Sequence, residues 1–298
     1  MPAGGPGLAI LRIRNFGLLW LAGLISFAGD CALIVALPLH IYRLTDSTLA
    51  TAAAFAASFL PGILFGSIAG VFVDRWDRKR TMVVADLLRA ALLLPLLVAP
   101  DSLGLLYAVA AVQGTVGLVF GPAEGALLPT LVGEERLVTA NALNALNDNL
   151  ALLIGPALGA LLYAETGIAG AVLFDGASYL VSALLIGLIA ADARPARDPN
   201  APTAGSAWTR MVADWRAGLG IVRRDQSLRV LFAASSLSSV AQGVFLTLAL
   251  APLVLDVLGG SPAQVGWLGT AQAVGGPAWQ SCGSGIGWRS DGCLAAVW

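Results

Sequence analysis

Charge is what this chain has least of. Of its 298 residues only 12% are Asp, Glu, Lys or Arg, against 57% hydrophobic, and the mean hydropathy is +0.81. So little charge cannot cover a water-facing surface, which excludes an ordinary soluble domain. With 17 basic residues against 18 acidic ones the net charge says little about partners, because the placement of charges matters more than their sum, and nothing supports nucleic-acid binding. Histidine occurs once and cysteine three times, at Cys31, Cys282 and Cys293. That is too few for a disulfide framework or a zinc site with repeated Cys-x-x-Cys spacing, so neither a metal nor a cofactor is expected. Intramembrane catalysis would want His, Asp, Ser or Cys gathered in one place, and the isolated carboxyls here do not suggest an enzyme. No small-residue cleavage site follows the first apolar run, which therefore reads as a retained span rather than a removed signal peptide.

What the chain does have is long apolar runs. A helix needs roughly 20 apolar residues to cross a ~30 Å hydrocarbon core. Runs of that order extend over Phe16 to Tyr42, Leu49 to Val73, Met82 to Ala99, Leu103 to Phe120, Leu143 to Tyr163, Ile168 to Ala191 and Leu228 to Leu258, and another begins near Ala263. Between them lie polar or turn-forming breaks such as Thr45-Asp46-Ser47, Pro100-Asp101-Ser102 and Glu165-Thr166-Gly167. If the spans alternate, Arg12, Arg14, the cluster from Arg75 to Arg80, Arg136 and the arginines from Arg194 to Arg229 share one side, with Arg43 opposite. The excess of basic loops marks the cytosolic face, so the N-terminus is expected there.

The loop between the second and third runs reads Gly70-Val-Phe-Val-Asp74-Arg75-Trp-Asp-Arg78-Lys79-Arg80. A basic loop alone is a topological anchor. Gly70 one turn before Asp74, followed at once by Arg75, asks for more, and the spacing Gly-x-x-x-Asp-Arg-x-x-Arg-Lys-Arg resembles the helix 2–3 loop of the major facilitator superfamily of secondary transporters. The resemblance implies a cytosolic gate made by Gly70, Asp74, Arg75, Arg78 and Arg80, tying helix 2 to the facing half through charge and helix-dipole contacts. Asp77 stands where that family usually has Gly. A second stretch, Gly155-Pro156-Ala-Leu-Gly159, resembles the Gly-Pro-x-x-Gly element in helix 5 of proton-coupled exporters. Its plain reading is a small-residue face for close helix approach, with Pro156 removing a backbone donor. The helix 4 pattern that accompanies it in drug antiporters wants Arg where Ala110 stands, three residues before Gln113-Gly114. The stretches Ser26-Phe-Ala-Gly29-Asp30 and Gly121-Pro122-Ala123 look like the branch that includes bacterial siderophore and macrolide exporters.

Asp30 is the foremost intramembrane candidate: it lies about 21 Å along the helix from Phe16 at ~1.5 Å per residue. A carboxylate at that depth must face an aqueous cavity, pair with a cation or hold its proton. One that alternates between neutral and ionised states suits proton coupling, although a structural pairing with a neighbouring helix would place the same residue there. Asp175 and His40 are further candidates for a proton or substrate cavity, His40 also suiting a purely structural role. Asp86 and Arg89, three residues apart on one helix face, could pair with each other or with the basic loop. With Asn147 and Asp148, at the polar start of the fifth run, they read as gate or interface scaffolding.

These readings divide the chain into a six-helix transmembrane half over 1–191, a cytosolic linker over 192–227, the start of a second half over 228–275 and an aberrant tail over 276–298. Registering Pro38 on Pro252 also places Gly29 on Gly243, Ser47 on Ser261 and Gly62 on Gly276, as parallel six-helix repeats require. The tail gathers tryptophan, glycine and two of the three cysteines and shows no second basic-loop motif, which suggests a shifted reading frame and a C-terminally truncated second half. The expected fold is an all-α integral membrane protein of the major facilitator type, first six-helix half plus the start of the second. The function that the resemblance implies is proton-coupled efflux of a small amphipathic molecule of drug or siderophore type, with the lipid bilayer, that molecule and protons as partners. The alternative is an inactive fragment or a non-transporting membrane scaffold.

Overall fold

In a computed structural model the chain is described over residues 8–73 and 76–190 and over short stretches at 220, 222–231, 233–234, 237, 253–261, 264 and 268, with backbone alone for 67–73 and 255–256. Most of the linker, most of the later apolar runs and the tail from Gly276 lie outside these residues. So do Asp74 and Arg75.

After a 3-10 turn at Leu8–Arg12, eight helices follow: α1 (Arg14–Thr45), α2 (Thr48–Val73), α3 (Arg78–Leu93), α4 (Pro95–Val98), α5 (Leu103–Gly117), α6 (Phe120–Val132), α7 (Leu137–Thr166) and α8 (Ile168–Gly187). No strand occurs among the described residues. The helices make six membrane-length spans, because α4 prolongs α3 and α6 prolongs α5. Local chemistry explains where they start and stop. Asp46 ends α1 in the left-handed region, φ 47°, with its N–H donating to Tyr42 O. The Ser47 hydroxyl accepts from Ala50 N–H at the start of α2. Pro95, which has no N–H to give, breaks α3 from α4, and Gly133 (φ 76°) and Gly167 (φ 68°) turn the chain after α6 and α7.

Several boundaries differ from the sequence expectation, the sixth span for example ending at Gly187 rather than Ala191. The third span starts at Arg78 rather than Met82, and the fifth at Leu137, after a 3-10 turn, rather than Leu143. Polar first turns are stable there because the helix needs hydrogen bonding as well as apolarity. The fourth span does not end at Phe120 but runs on to Val132. Pro122 sits in the first turn of α6, where the missing N–H would have had no helical partner.

Helix α1 lies at the centre, packed on α7, α8 and α2; α3 links α8 to α5 and α6, and α2 packs on α5. Two apolar clusters occupy opposite ends. One contains Leu39, Ile41, Leu93, Leu96, Leu106 and Val172. The other contains Leu19, Ala22, Met82, Leu127 and Ile186. Asp30 of α1, Asp86 and Arg89 of α3, and Asp175 and Ser182 of α8 fall between them. Large side chains such as Phe59, Leu60, Ile63 and Leu64 of α2 remain exposed, as the surface of a bundle immersed in lipid can.

Two seams hold α1 without slack. On α7, a Cβ at Gly155 would lie 2.7 Å from Ala28 O, and one at Gly159 would lie 2.6 Å from Ala32 Cα. On α8, a Cβ at Gly29 would lie 2.9 Å from Ser178 Cβ. The Gly155-Pro156-x-x-Gly159 element is thus the close-approach face of α7 against α1, with Pro156 itself buried.

Candidate functional site

Four helices bring polar side chains together in the layer between the apolar clusters. Arg89 of α3 donates to Asp30 Oδ1 of α1 at 2.5 Å. Its Nε donates to Gln113 Oε1 of α5 at 3.1 Å, and Gln113 Nε2 returns a bond to Arg89 O at 3.0 Å. From α8, the Tyr179 hydroxyl donates to the same Asp30 Oδ1, and the Tyr179 ring lies under the guanidinium at 4.3 Å. Arg89 is nearly enclosed, its side chain 11% exposed, while Asp30 keeps 29%. Of the three options for a carboxylate at this depth, an aqueous cavity, a cation or a held proton, Asp30 has a cation beside it, Arg89, and the local Asp86–Arg89 pairing that the sequence offered does not form: Arg89 turns to α1 instead. A charge-assisted bond across helices, reinforced by a second donor and an aromatic face, outweighs an i,i+3 helix pair worth about 0.2–0.5 kcal/mol.

The neighbours of this pair are also acidic. Asp175 is fully buried between α8 and α1, its Oδ1 accepting from the Ser178 hydroxyl at 3.3 Å and its Oδ2 without a partner. Asp86 is fully buried, with neither carboxyl oxygen in hydrogen-bond contact, and the Ser182 hydroxyl of α8 faces it. Asp175, Tyr179 and Ser182 therefore line one stripe of α8 at helical spacing, opposite Asp30, Arg89 and Asp86.

The two ends of the bundle are tied separately. Where α1 begins, Asn15 Nδ2 donates to Ala190 O at 3.0 Å and accepts from Ala190 N at 3.2 Å, while Lys79 Nζ donates to Ile189 O at 2.6 Å. These bonds put the start of α1, the start of α3 and the end of α8 at one end. Asp77 is the N-cap of α3, its Oδ1 accepting from Arg80 N at 3.0 Å and its Oδ2 lying 3.7 Å from Arg80 Nε, which gives the residue that replaces the family's usual Gly a structural reason. Arg78 Nε is buried without a hydrogen-bond partner among the described residues. At the opposite end His40 sits between Tyr163 OH (3.2 Å) and Pro100 O (3.1 Å), with Asp101 Oδ1 at 3.3 Å.

Asn147 is buried and joins α7 to α1, Nδ2 donating to Trp20 O at 2.5 Å while Trp20 Nε1 donates to Leu143 O at 2.8 Å. Asp148 is exposed. Glu124 of α6, which accepts from Asn144 Nδ2 at 2.9 Å and lies beside Asp148, was absent from the sequence candidates. It became an intramembrane carboxyl only when the fourth span was seen to continue past Phe120. Tyr179 and Gln113 were missed for another reason: their roles depend on which helices meet, which spacing along one helix does not state.

A family profile described as Major Facilitator Superfamily matches residues 19–290. An uncharacterized MFS-type transporter, YkuC of Bacillus subtilis (strain 168), is 26% identical over 266 residues, 87% of this chain and 60% of the relative. Macrolide efflux protein A of Streptococcus pyogenes is 35% identical over 77 residues, 26% of this chain and 19% of the relative. The matched part of the chain thus spans less than two thirds of the length of either. No solved structure matches.

Proposed function

Since the chain belongs to the major facilitator superfamily, we propose that it serves as a secondary transporter exporting a small amphipathic molecule, driven by inward proton movement. The observation that carries this reading is the Asp30–Arg89 pair, enclosed at membrane depth by four helices. An arginine keeps its charge in proteins, so Asp30 is the member of the pair that can be neutralised, and its residual exposure gives a proton access to it. Protonation of Asp30 weakens its bond to Arg89 and loosens α1 from α3. A proton-linked change in helix packing is the local event that rocking of one transporter half against another requires.

The orientation follows from the same proposal. The end carrying Asn15, Asp77 and Lys79 is cytosolic and the His40 end faces outward, in a bacterial inner membrane. Gly70, Asp74, Arg75, Arg78 and Arg80 act as the cytosolic gate, with the second half beyond the linker as its counterpart. Amphipathic substrates, with macrolides as the first to try, are suggested by the name of the streptococcal relatives.

The test is accumulation of macrolide and other amphipathic fluorescent probes in an efflux-deficient bacterial host expressing the chain. The expected result is lowered accumulation that a protonophore abolishes, and that Asp30→Asn abolishes while membrane insertion is retained. An inserted chain that moves no probe refutes the transport reading and leaves the non-transporting scaffold. Efflux unaffected by Asp30→Asn removes Asp30 from coupling.

A further inference from the structure

Arg89 is surrounded by more acid than it can neutralise. Asp30 from α1, Asp175 and Tyr179 from α8, and Asp86 from its own helix all lie within electrostatic reach of the guanidinium. Cys31 of α1 adds only a thiol beside Asp30 and Asp175. Gln113 of α5 is neutral, and Glu124 of α6 faces Asp148 rather than this cluster. One cation thus stands among three carboxyl groups. Among the described residues no set of His, Cys, Asp and Glu is placed to hold a metal ion that would supply the missing charge.

Geometry decides which carboxyl is ionised. Asp30 takes the ion pair and the tyrosine hydroxyl. Asp175 has one oxygen bonded to Ser178 and one without a partner, and Asp86 has two without partners at 0% exposure. An ionised carboxylate in Asp86's position would be a buried charge with no salt bridge and only the Ser182 hydroxyl beside it, an arrangement that proteins avoid by neutralising the group. Asp86 also lies on the face of α3 that carries Arg89, three residues away, where the side chains of one helix meet without backbone movement.

We propose that Arg89 is a shared counter-ion: Asp86, facing Ser182, is a second proton-binding site that holds a proton while Arg89 pairs with Asp30, and becomes the partner of Arg89 when Asp30 is neutral. The exchange balances. Asp30 gains one proton, Asp86 loses one, and the net charge of the cluster is unchanged, so no uncompensated charge is left in the bundle at either stage. Asp175, with Ser178 on one oxygen, stays neutral throughout. The proposal builds on the Asp30–Arg89 coupling reading by giving the displaced arginine somewhere to go.

The test is infrared spectroscopy of the purified full chain in lipid bilayers at neutral pH, reading the carboxylic-acid C=O band, which ionised carboxylates lack. Wild type minus Asp86→Asn should show the loss of one acid group. Asp30→Asn should also lose one acid group relative to wild type, although Asp30 itself is ionised, because Arg89 then turns to Asp86. A Ser182→Ala chain, which keeps every carboxyl, should shift the Asp86 band and serves if Asp86→Asn does not fold. An acid band unchanged by Asp86→Asn, unchanged by Asp30→Asn or unmoved by Ser182→Ala overturns the proposal. These readouts need no transport. Absent efflux with the expected spectra fails only the transport reading, and efflux with unchanged spectra fails only this one.

Discussion

Replacing Gly159 by alanine adds one methyl group where α7 and α1 are in close approach. The new Cβ would lie 2.6 Å from Ala32 Cα and 2.7 Å from Ala32 C, whereas carbon atoms reach their optimum near 3.5–4.0 Å. The obstacle is backbone, so no side-chain rotation relieves it, and α1 and α7 must part by about 1 Å. Helix α1 cannot simply retreat, because Gly29 is already in close approach to Ser178 on its other side. Overpacking of this kind costs about 1–3 kcal/mol. Against it stands the helix-propensity gain of Gly→Ala, about 0.5–1 kcal/mol, so the net loss should centre on about 1 kcal/mol, within a range of about 0–2.5 kcal/mol. Gly125, also helical but with nothing within 4 Å of its added Cβ, isolates the second term: Gly125→Ala should stabilise by about 0.5–1 kcal/mol. Unfolding in mixed micelles of increasing sodium dodecyl sulfate fraction, followed by circular dichroism, gives both values. Since association of helices in lipid depends on packing rather than on removal of apolar surface from water, the two variants should move in opposite directions. A Gly159→Ala chain as stable as Gly125→Ala would refute the close α1–α7 seam.

Two further outcomes test the ends of the bundle. Asp77→Ala should cost about 1 kcal/mol and Asp77→Gly only a few tenths, as for other N-caps. Hydrogen exchange at the Arg80 amide should accelerate in the alanine variant, and equal losses for both variants would argue against the cap. Single cysteines replacing Trp76 and Ser102, in a background without other cysteines, should be labelled by an impermeant reagent from the cytosolic and outer sides respectively. Labelling of both from one side would contradict the six-span arrangement and the proposed orientation.

Much of this architecture could be read in the sequence because a membrane span has a length and an apolarity that need no partner to recognise. The all-helical bundle and the six spans of the first half were legible for that reason, and the transporter family was legible in the spacing from Gly70 to Arg80. So was the need of Asp30 for a partner, since a carboxylate about 21 Å along a span from Phe16 is costly wherever it points. The identity of that partner was not legible. Sequence spacing offered Asp86 to Arg89, and the structure gives Asp30, because the choice rests on how α1, α3 and α8 converge, which no single helix records. Glu124 was hidden differently. The fourth apolar run ends at Phe120 by hydropathy, yet a proline in a helix's first turn removes a donor that had no acceptor there, so the span continues through Pro122 and includes Glu124. Both misses concern the same physical quantity. Local rules measure what a residue does to its own helix, worth tenths of a kcal/mol, whereas an ionisable group inside a membrane is governed by charge balance over several helices at once. Asp86 is where the two scales meet: a local partner of Arg89 that the wider balance leaves unpaired, and therefore a residue whose state must change whenever Asp30 changes its own.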